Sequence, residues 1–258
     1  MQAAPTNYNS IYEEGDYDVL YKVNIDGTDY DQDKIWSMKS SRACFTANTN
    51  FVGNALVGQI DLTVTKPEVD FSKMACIKPY IRLYSRPRRI YSGWLQKGQF
   101  YIDNRETDES DGITTLVIKG YDLMRKTNQL YPSSTLQWDA THPTAFQVVK
   151  EIASHMFGVS LSTVNTYPTR YIESETVTLL SNTSHIVGFP AQYTMAEVLG
   201  SIAAMYGSNF IISDTGKLKM ARLMDLPTET FLLVDEKGNL ITFGGYGIEL
   251  VDLNYSGG

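Results

Sequence analysis

Apolar and polar residues alternate singly along several short stretches in the first half of the chain. Ile60, Leu62 and Val64 alternate with Asp61, Thr63 and Thr65, which predicts a strand with one face inward and one toward solvent. Ile77, Ile81 and Leu83 share a face against Lys78, Tyr80 and Arg82. Leu116 and Ile118 share another, and Val117 opposes them, which predicts burial on both sides. Strand-like runs also cover 94–102 and 21–25, and Asp26-Gly27 is a two-residue hairpin turn between 21–25 and 28–30. Residues 104–112 read as an acidic loop joining the strand that ends at Ile102 to the one that starts at Ile113. Short strands punctuated by turns point to a sandwich or a barrel.

The pattern changes near residue 123. Phe146, Val149, Ala153, Met156 and Phe157 form a stripe at helical spacing, widened by Val148 and Ile152. Pro143 suits that helix's first turn, and Gly158 the position just past its end. Thr194 and Glu197 have capping-box spacing at the head of a second helix. There Met195, Val198, Leu199, Ile202, Ala203 and Tyr206 recur at helical spacing, and Gly207 suits the close. A hairpin of 209–213 and 217–221 follows, so Met195, Leu199, Ile202 and Phe210 are the expected core of a small α+β domain. Past Pro227 the chain returns to strands, at 231–234 and 240–243, about a turn at 236–239.

A chain of 258 residues, 43% apolar, has room for one large domain or two modest ones with real cores. Its 17 tyrosines suit either protein contact or strand structure itself. A formal net charge of -7 argues against electrostatic nucleic-acid binding, which needs a basic face. The basic cluster Arg82, Arg86, Arg88 and Arg89 around Pro87 reads as a solvated turn. No stretch is long and apolar enough to span a bilayer, and the start of the chain lacks the signal-peptide pattern. Cys44 and Cys76 sit in strand-like runs, as reduced packing residues or as a disulfide pair.

The candidate chemistry is thin. Asp26, Asp29, Asp31 and Asp33 cluster as calcium ligands do, yet Lys34 stands where the calcium loop needs glycine and Ser40 where it needs glutamate. They read as charges along a strand edge, which discourage stray pairing. His142, His155 and His185 lack zinc-ligand spacing, and His155 falls on a helix flank. Residues 244–247, Gly-Gly-Tyr-Gly, lack the phosphate-loop lysine. Glu106 and Glu109 form a carboxylate pair on a loop tip, which holds catalytic groups poorly. No catalytic, cofactor or metal residue is assigned, and no enzyme activity is expected.

The strands at 54–65, 74–83, 94–102 and 113–122, the last ending Lys119-Gly120-Tyr121-Asp122, together resemble the first barrel of bacteriophage tail hub (baseplate hub) proteins of the Gram-positive phage and prophage type. The resemblance covers 52–125 and returns at 194–222 in the helix-then-hairpin wording of 199–218. It implies a mainly β, α+β chain: a hub-type β-barrel over 1–125, an α+β domain over 126–227, and C-terminal strands over 228–258. Those last strands either begin a second barrel or return to the first, since a whole second barrel does not fit there.

The implied role is structural. A homotrimeric ring in the virion tail, assembled in the host cytoplasm, would join the tail tube and distal tail proteins to a tip, spike or fibre protein. The tape measure protein is a further partner of such a ring. Genome DNA would pass through its channel without specific binding, and nothing would insert into a membrane. The expected contact residues are Lys78, Tyr80, Arg82 and Tyr84 on one strand. Asp103, Asn104, Arg105, Glu106, Asp108 and Glu109 supply the others, on the loop 103–112. The competing readings are a host-carbohydrate-binding tail module, using Trp36, Trp94 and Trp138, and the N-terminal scaffold of a tail-associated wall hydrolase.

Overall fold

Asp26 and Gly27 both take positive φ, 51° and 92°, and this turn sets the first hairpin: Ile25 faces Thr28, and β1 (Tyr17–Ile25) pairs antiparallel with β2 (Thr28–Asp31). The computed structural model describes residues 4–41, 52–68, 70–110, 112–132, 136, 142–159, 168–181, 186, 188–222, 231–232, 242–243, 246–247 and 249–250. The chain divides into the units Met1–Ala221 and Arg222–Gly258.

The first unit is dominated by one antiparallel sheet. Its further strands are β3 (Ile35–Ser41), β4 (Gln59–Thr65), β5 (Cys76–Ser85), β6 (Ile90–Tyr91), β7 (Leu95–Gln96), β8 (Phe100–Ser110) and β9 (Ile113–Tyr121). They run in the order β2-β1-β5-β8-β9-β4-β3, with β6 and β7 also pairing with β5. Inward residues of all the long strands meet in one core, among them Val23, Ile25, Ile60, Leu62, Ile77, Phe100, Leu116 and Ile118. The chain is therefore α+β and mainly β.

Several local expectations need correction. Among the described residues no ladder joins β2 to β3, so the strand order there does not close into a barrel. β2 is only four residues long, and the 3₁₀ turn Gln32–Lys34 carries the chain out of the ladder before β3 begins. Val117 is not buried but 40% exposed, because β9 packs on the core by one face only. The run 94–102 is two strands, interrupted where Lys97 N–H turns to the Pro79 carbonyl at 2.8 Å and Gly98 takes φ 154°.

Residues 103–110 are strand rather than loop. β8 continues to Ser110, which pairs with Ile113, so the connection is two residues long, with Gly112 at φ 75°. A bulge at Asp103 shifts the register between Ile102 and Asn104.

A second core in the same unit is built by α2 (Ala145–Phe157), α3 (Ser174–Leu180), α4 (Met195–Met205), β10 (Ser208–Ile212) and β11 (Leu218–Arg222). Both long helices begin with a complete capping box, Thr144 with Gln147 and Thr194 with Glu197. Gly158 closes α2 in the left-handed conformation. Pro143 lies outside the first turn, since Thr144 is the cap. The buried stripe of α2 centres on Val148, Val149, Ile152 and Met156, and Phe146 and Phe157 fall at its margins. Met195, Leu199, Ile202 and Phe210 are all buried.

Two short helices carried no periodic signal. α1 (Tyr8–Glu14) buries only Ile11. α3 is held by tertiary bonds, Thr176 Oγ1 accepting from Met220 N–H at 2.8 Å.

The two cores are joined by backbone. Gly53 N–H donates to the Ser208 carbonyl at 2.8 Å, Leu56 N–H to Phe210 at 2.8 Å, and Phe210 N–H to Asn54 at 2.7 Å. Residues 54–56 thus add a parallel segment beside β10. α4 lies against this segment so closely that a Cβ on Gly200 would stand 2.5 Å from the Gly53 carbonyl oxygen. Gly200→Ala should therefore destabilise the fold. Alanine's helix preference is worth up to about 1 kcal/mol, while forcing backbone apart costs about 1–3 kcal/mol. Chemical denaturation reads the difference, and a stabilised variant would rule out the close approach.

In Arg222–Gly258, β12 (Phe231–Leu232) pairs with β15 (Glu249–Leu250), enclosing the pair of β13 (Thr242–Phe243) and β14 (Tyr246–Gly247). The turn expected at 236–239 lies outside the described residues. Among the described residues, no helix is long and apolar enough to cross a membrane.

Candidate functional site

The alternation of β5 buries Ile77, Pro79, Leu83 and Ser85 and turns Lys78, Tyr80, Arg82 and Tyr84 to the other face, all half-buried. Antiparallel register with β1 places Asn24 beside Lys78, Lys22 beside Tyr80, Leu20 beside Arg82 and Asp18 beside Tyr84. The Arg82 guanidinium carbon lies 4.4 Å from the ring centroids of both Tyr91 and Trp94. Lys22 Nζ stands 5.1 Å from Trp94 and 5.5 Å from Tyr80. Tyr84 and Tyr91 pack at 4.7 Å. The result is an unbroken aromatic and cationic band from Tyr84 to Tyr80. Arg82 Nε is buried in it without a hydrogen-bond partner among the described residues, while Tyr91 is 51% exposed.

The electrostatics of this end are largely compensated. Lys22 donates to Asp29 Oδ2 at 2.6 Å, and hydrogen bonds from Lys22 and Asn24 hold the Asp29 carboxyl below its usual range. Asp29 thus belongs to an ion pair rather than to an unpaired acidic run. The expected solvated arginine turn is likewise ion-paired: Arg86 with Asp16 and Asp18, and Arg88 with Glu14 at 2.9 Å. The Arg86 bond lowers the Asp18 carboxyl. Such exposed pairs contribute little stability. They do neutralise the surface around the band.

The second expected contact element is the β8–β9 hairpin. Asp103, Asn104, Glu106, Asp108 and Glu109 are exposed along it. Asn104 donates to Glu106 Oε1 at 3.1 Å, and the Arg105 guanidinium donates to the Phe71 carbonyl. Ile113 and Val117 add apolar surface on the partner strand.

β5 meets β8 only through Cys76–Tyr101 and Ile77–Phe100. From that junction the two strands run apart, so the aromatic band and the acidic hairpin occupy opposite ends of the sheet.

Neither surface presents a nucleophile backed by a base. The band has the composition of a protein-contact hot spot, rich in Trp, Tyr and Arg. A sugar-binding tryptophan needs an open ring face, whereas two cations stand over Trp94. Trp36 is exposed and donates from Nε1 to Thr65 Oγ1 at 3.3 Å; Trp138, His185 and Cys44 lie outside the described residues. His155 is exposed. Cys76 is half-buried; burial raises its thiol, Lys78 opposes the rise and Asp26 adds to it. Sequence reasoning missed Lys22 and Tyr91 and named Trp94 only as a candidate sugar-binding residue; all three come to Arg82 through the sheet, which leaves no signal at a fixed spacing.

No protein-family model matches the chain, and neither does any curated protein. Among solved structures it is similar to the tail protein from Neisseria meningitidis MC58, at 14% identity and a TM-score of 0.48, over 78% of this chain and 50% of that one. It is also similar to the 43 kDa tail protein of prophage MuSo2 from Shewanella oneidensis, at 14% identity and a TM-score of 0.46, over 82% of this chain and 57% of that one. The chain spans about half the length of these structures.

Proposed function

We propose that this chain is a structural hub-type component of a phage tail. It forms a homotrimeric ring at the distal end of the tail tube, between the tube with its distal tail proteins and a tip, spike or fibre protein. The observation that carries the reading is the union of the two stretches of the family resemblance. Residues 52–125 and 194–222 are bonded to each other through the three backbone hydrogen bonds of 53–56 with β10, so the discontinuous resemblance corresponds to one structural unit.

Contact surfaces support the same reading. Lys78, Tyr80, Arg82 and Tyr84 belong to the aromatic band, and Asp103, Asn104, Arg105, Glu106, Asp108 and Glu109 to the hairpin. A cyclic assembly covers such surfaces with one repeated contact. The expected domain plan in this reading is 1–125, 126–227 and 228–258. DNA passes through the axial channel unbound, as an acidic chain favours. The ring belongs to the virion, is assembled in the host cytoplasm and does not insert into a membrane.

Light scattering of the purified chain should give three times the 29.0 kDa monomer, or a monomer that trimerises with its tail partners. Imaging of tail tips should then show three copies around a channel. Six copies in the ring, or a copy without symmetric neighbours, would overturn the proposal.

A further inference from the structure

Three cationic side chains line a cleft of about 640 Å³ between the sheet and the helical core. They are Lys126, Arg170 and Lys217, and none of the cleft's lining residues is a carboxylate. Lys126 Nζ is anchored at the end of α2, donating to the Met156 carbonyl at 3.0 Å. Phe157 and Tyr171 stack in the wall with ring centroids 4.6 Å apart, and the Arg170 guanidinium carbon lies 4.7 Å from the Tyr171 centroid. The Tyr101 hydroxyl accepts from Gln99 at 2.6 Å, and burial keeps the phenol protonated, able to donate. An adjoining hollow of about 350 Å³ includes Asp103 and Asp122, but Asp122 already accepts from the Gly58 and Met124 amides.

Further acidic charge lies on the same molecule, at the far end of β8. Glu106, Asp108 and Glu109 are exposed on β8, and no cation among the described residues pairs with them. β8 begins at the cleft, where Tyr101 is in the wall, and runs away from it to the turn. At roughly 3.3 Å per residue, Glu109 stands about 25 Å beyond Tyr101, so a chain cannot place its own hairpin tip in its own cleft.

We propose that the β8–β9 hairpin tip of one copy enters the Lys126–Arg170–Lys217 cleft of the next. The carboxylates of Glu106, Asp108 and Glu109 then meet the three cations, in a heterologous contact that closes a ring when its rotation allows. This rests on the ring reading above and assigns the ring its receptor. Around the aromatic band, Lys22, Arg86 and Arg88 are ion-paired with Asp29, Asp16, Asp18 and Glu14, which weakens that surface as a receptor for an acidic hairpin.

Charge reversal tests the contact. Lys126→Glu with Lys217→Glu should weaken self-association at least about tenfold, and so should Glu106→Lys with Glu109→Lys. A chain carrying all four substitutions should associate again, which a misfolded variant cannot do. A photo-crosslinking benzophenone amino acid at the exposed Thr107 should join copies, with the attachment in 123–126, 156–157, 170–171 or 215–217 of the neighbour. Association unchanged by both charge reversals, or crosslinks that land on β5, would overturn the contact while leaving a ring in place. A wild-type chain that forms no closed oligomer, yet crosslinks at the cleft at high concentration, would retain the contact and sink the ring. Absence of any crosslink between copies at high concentration overturns the contact itself.

Discussion

Phe210→Ala should lower the stability of the Met1–Ala221 unit by about 3–5 kcal/mol, the range for emptying a buried aromatic site. Phe210 is fully buried and among the largest side chains in the core. It shares that core with Met195, Leu199, Ile202 and the inner face of α2. Its backbone also carries two of the three bonds that hold residues 53–56 beside β10. A cavity there loosens the contact that joins the sheet to the helical core, so collapse around it is restrained from two sides. Urea unfolding measures the loss. A change below about 1 kcal/mol would mean that neighbouring side chains refill the space and that this core is not closely packed.

Asp122→Ala should cost about 2–6 kcal/mol, from the backbone bonds it removes. The Asp122 carboxylate is buried and accepts from two backbone amides, Gly58 at 2.8 Å and Met124 at 3.0 Å. Gly58 leads into β4, and Met124 lies in the 3₁₀ turn Leu123–Asn128 that opens the helical part. Alanine leaves both N–H groups without that acceptor, and each such loss in a buried setting costs about 1–3 kcal/mol. The milder substitution Asp122→Asn keeps one acceptor oxygen and should recover part of the loss. Amide hydrogen exchange separates this cause from general unfolding: exchange at Gly58 and Met124 should accelerate beyond the global change. Equal acceleration across the unit would show that the carboxylate is not the local tie described here.

What the sequence by itself determined is what a few neighbouring residues decide. The alternation of Ile60, Leu62 and Val64 made a strand because side chains there point alternately in and out. Thr194 with Glu197 started α4 because a cap is satisfied within one turn. Asp26-Gly27 turned a hairpin because both residues tolerate positive φ. The acidic residues 104–110, by contrast, read as a loop. They form a strand because β9 supplies a partner along their whole length, and pairing does not require an apolar face.

Only the tertiary structure decided the rest. α1 and α3 exist through contacts distant in sequence. The aromatic band assembles residues of β1, β5 and 91–94 through register. The cationic cleft gathers Lys126, Arg170 and Lys217 from segments whose local sequences share no pattern. Local rules act through bonded geometry and reach one turn or one hairpin. Surfaces and clefts depend on which segments the two cores bring together, and that is a property of packing over the whole unit.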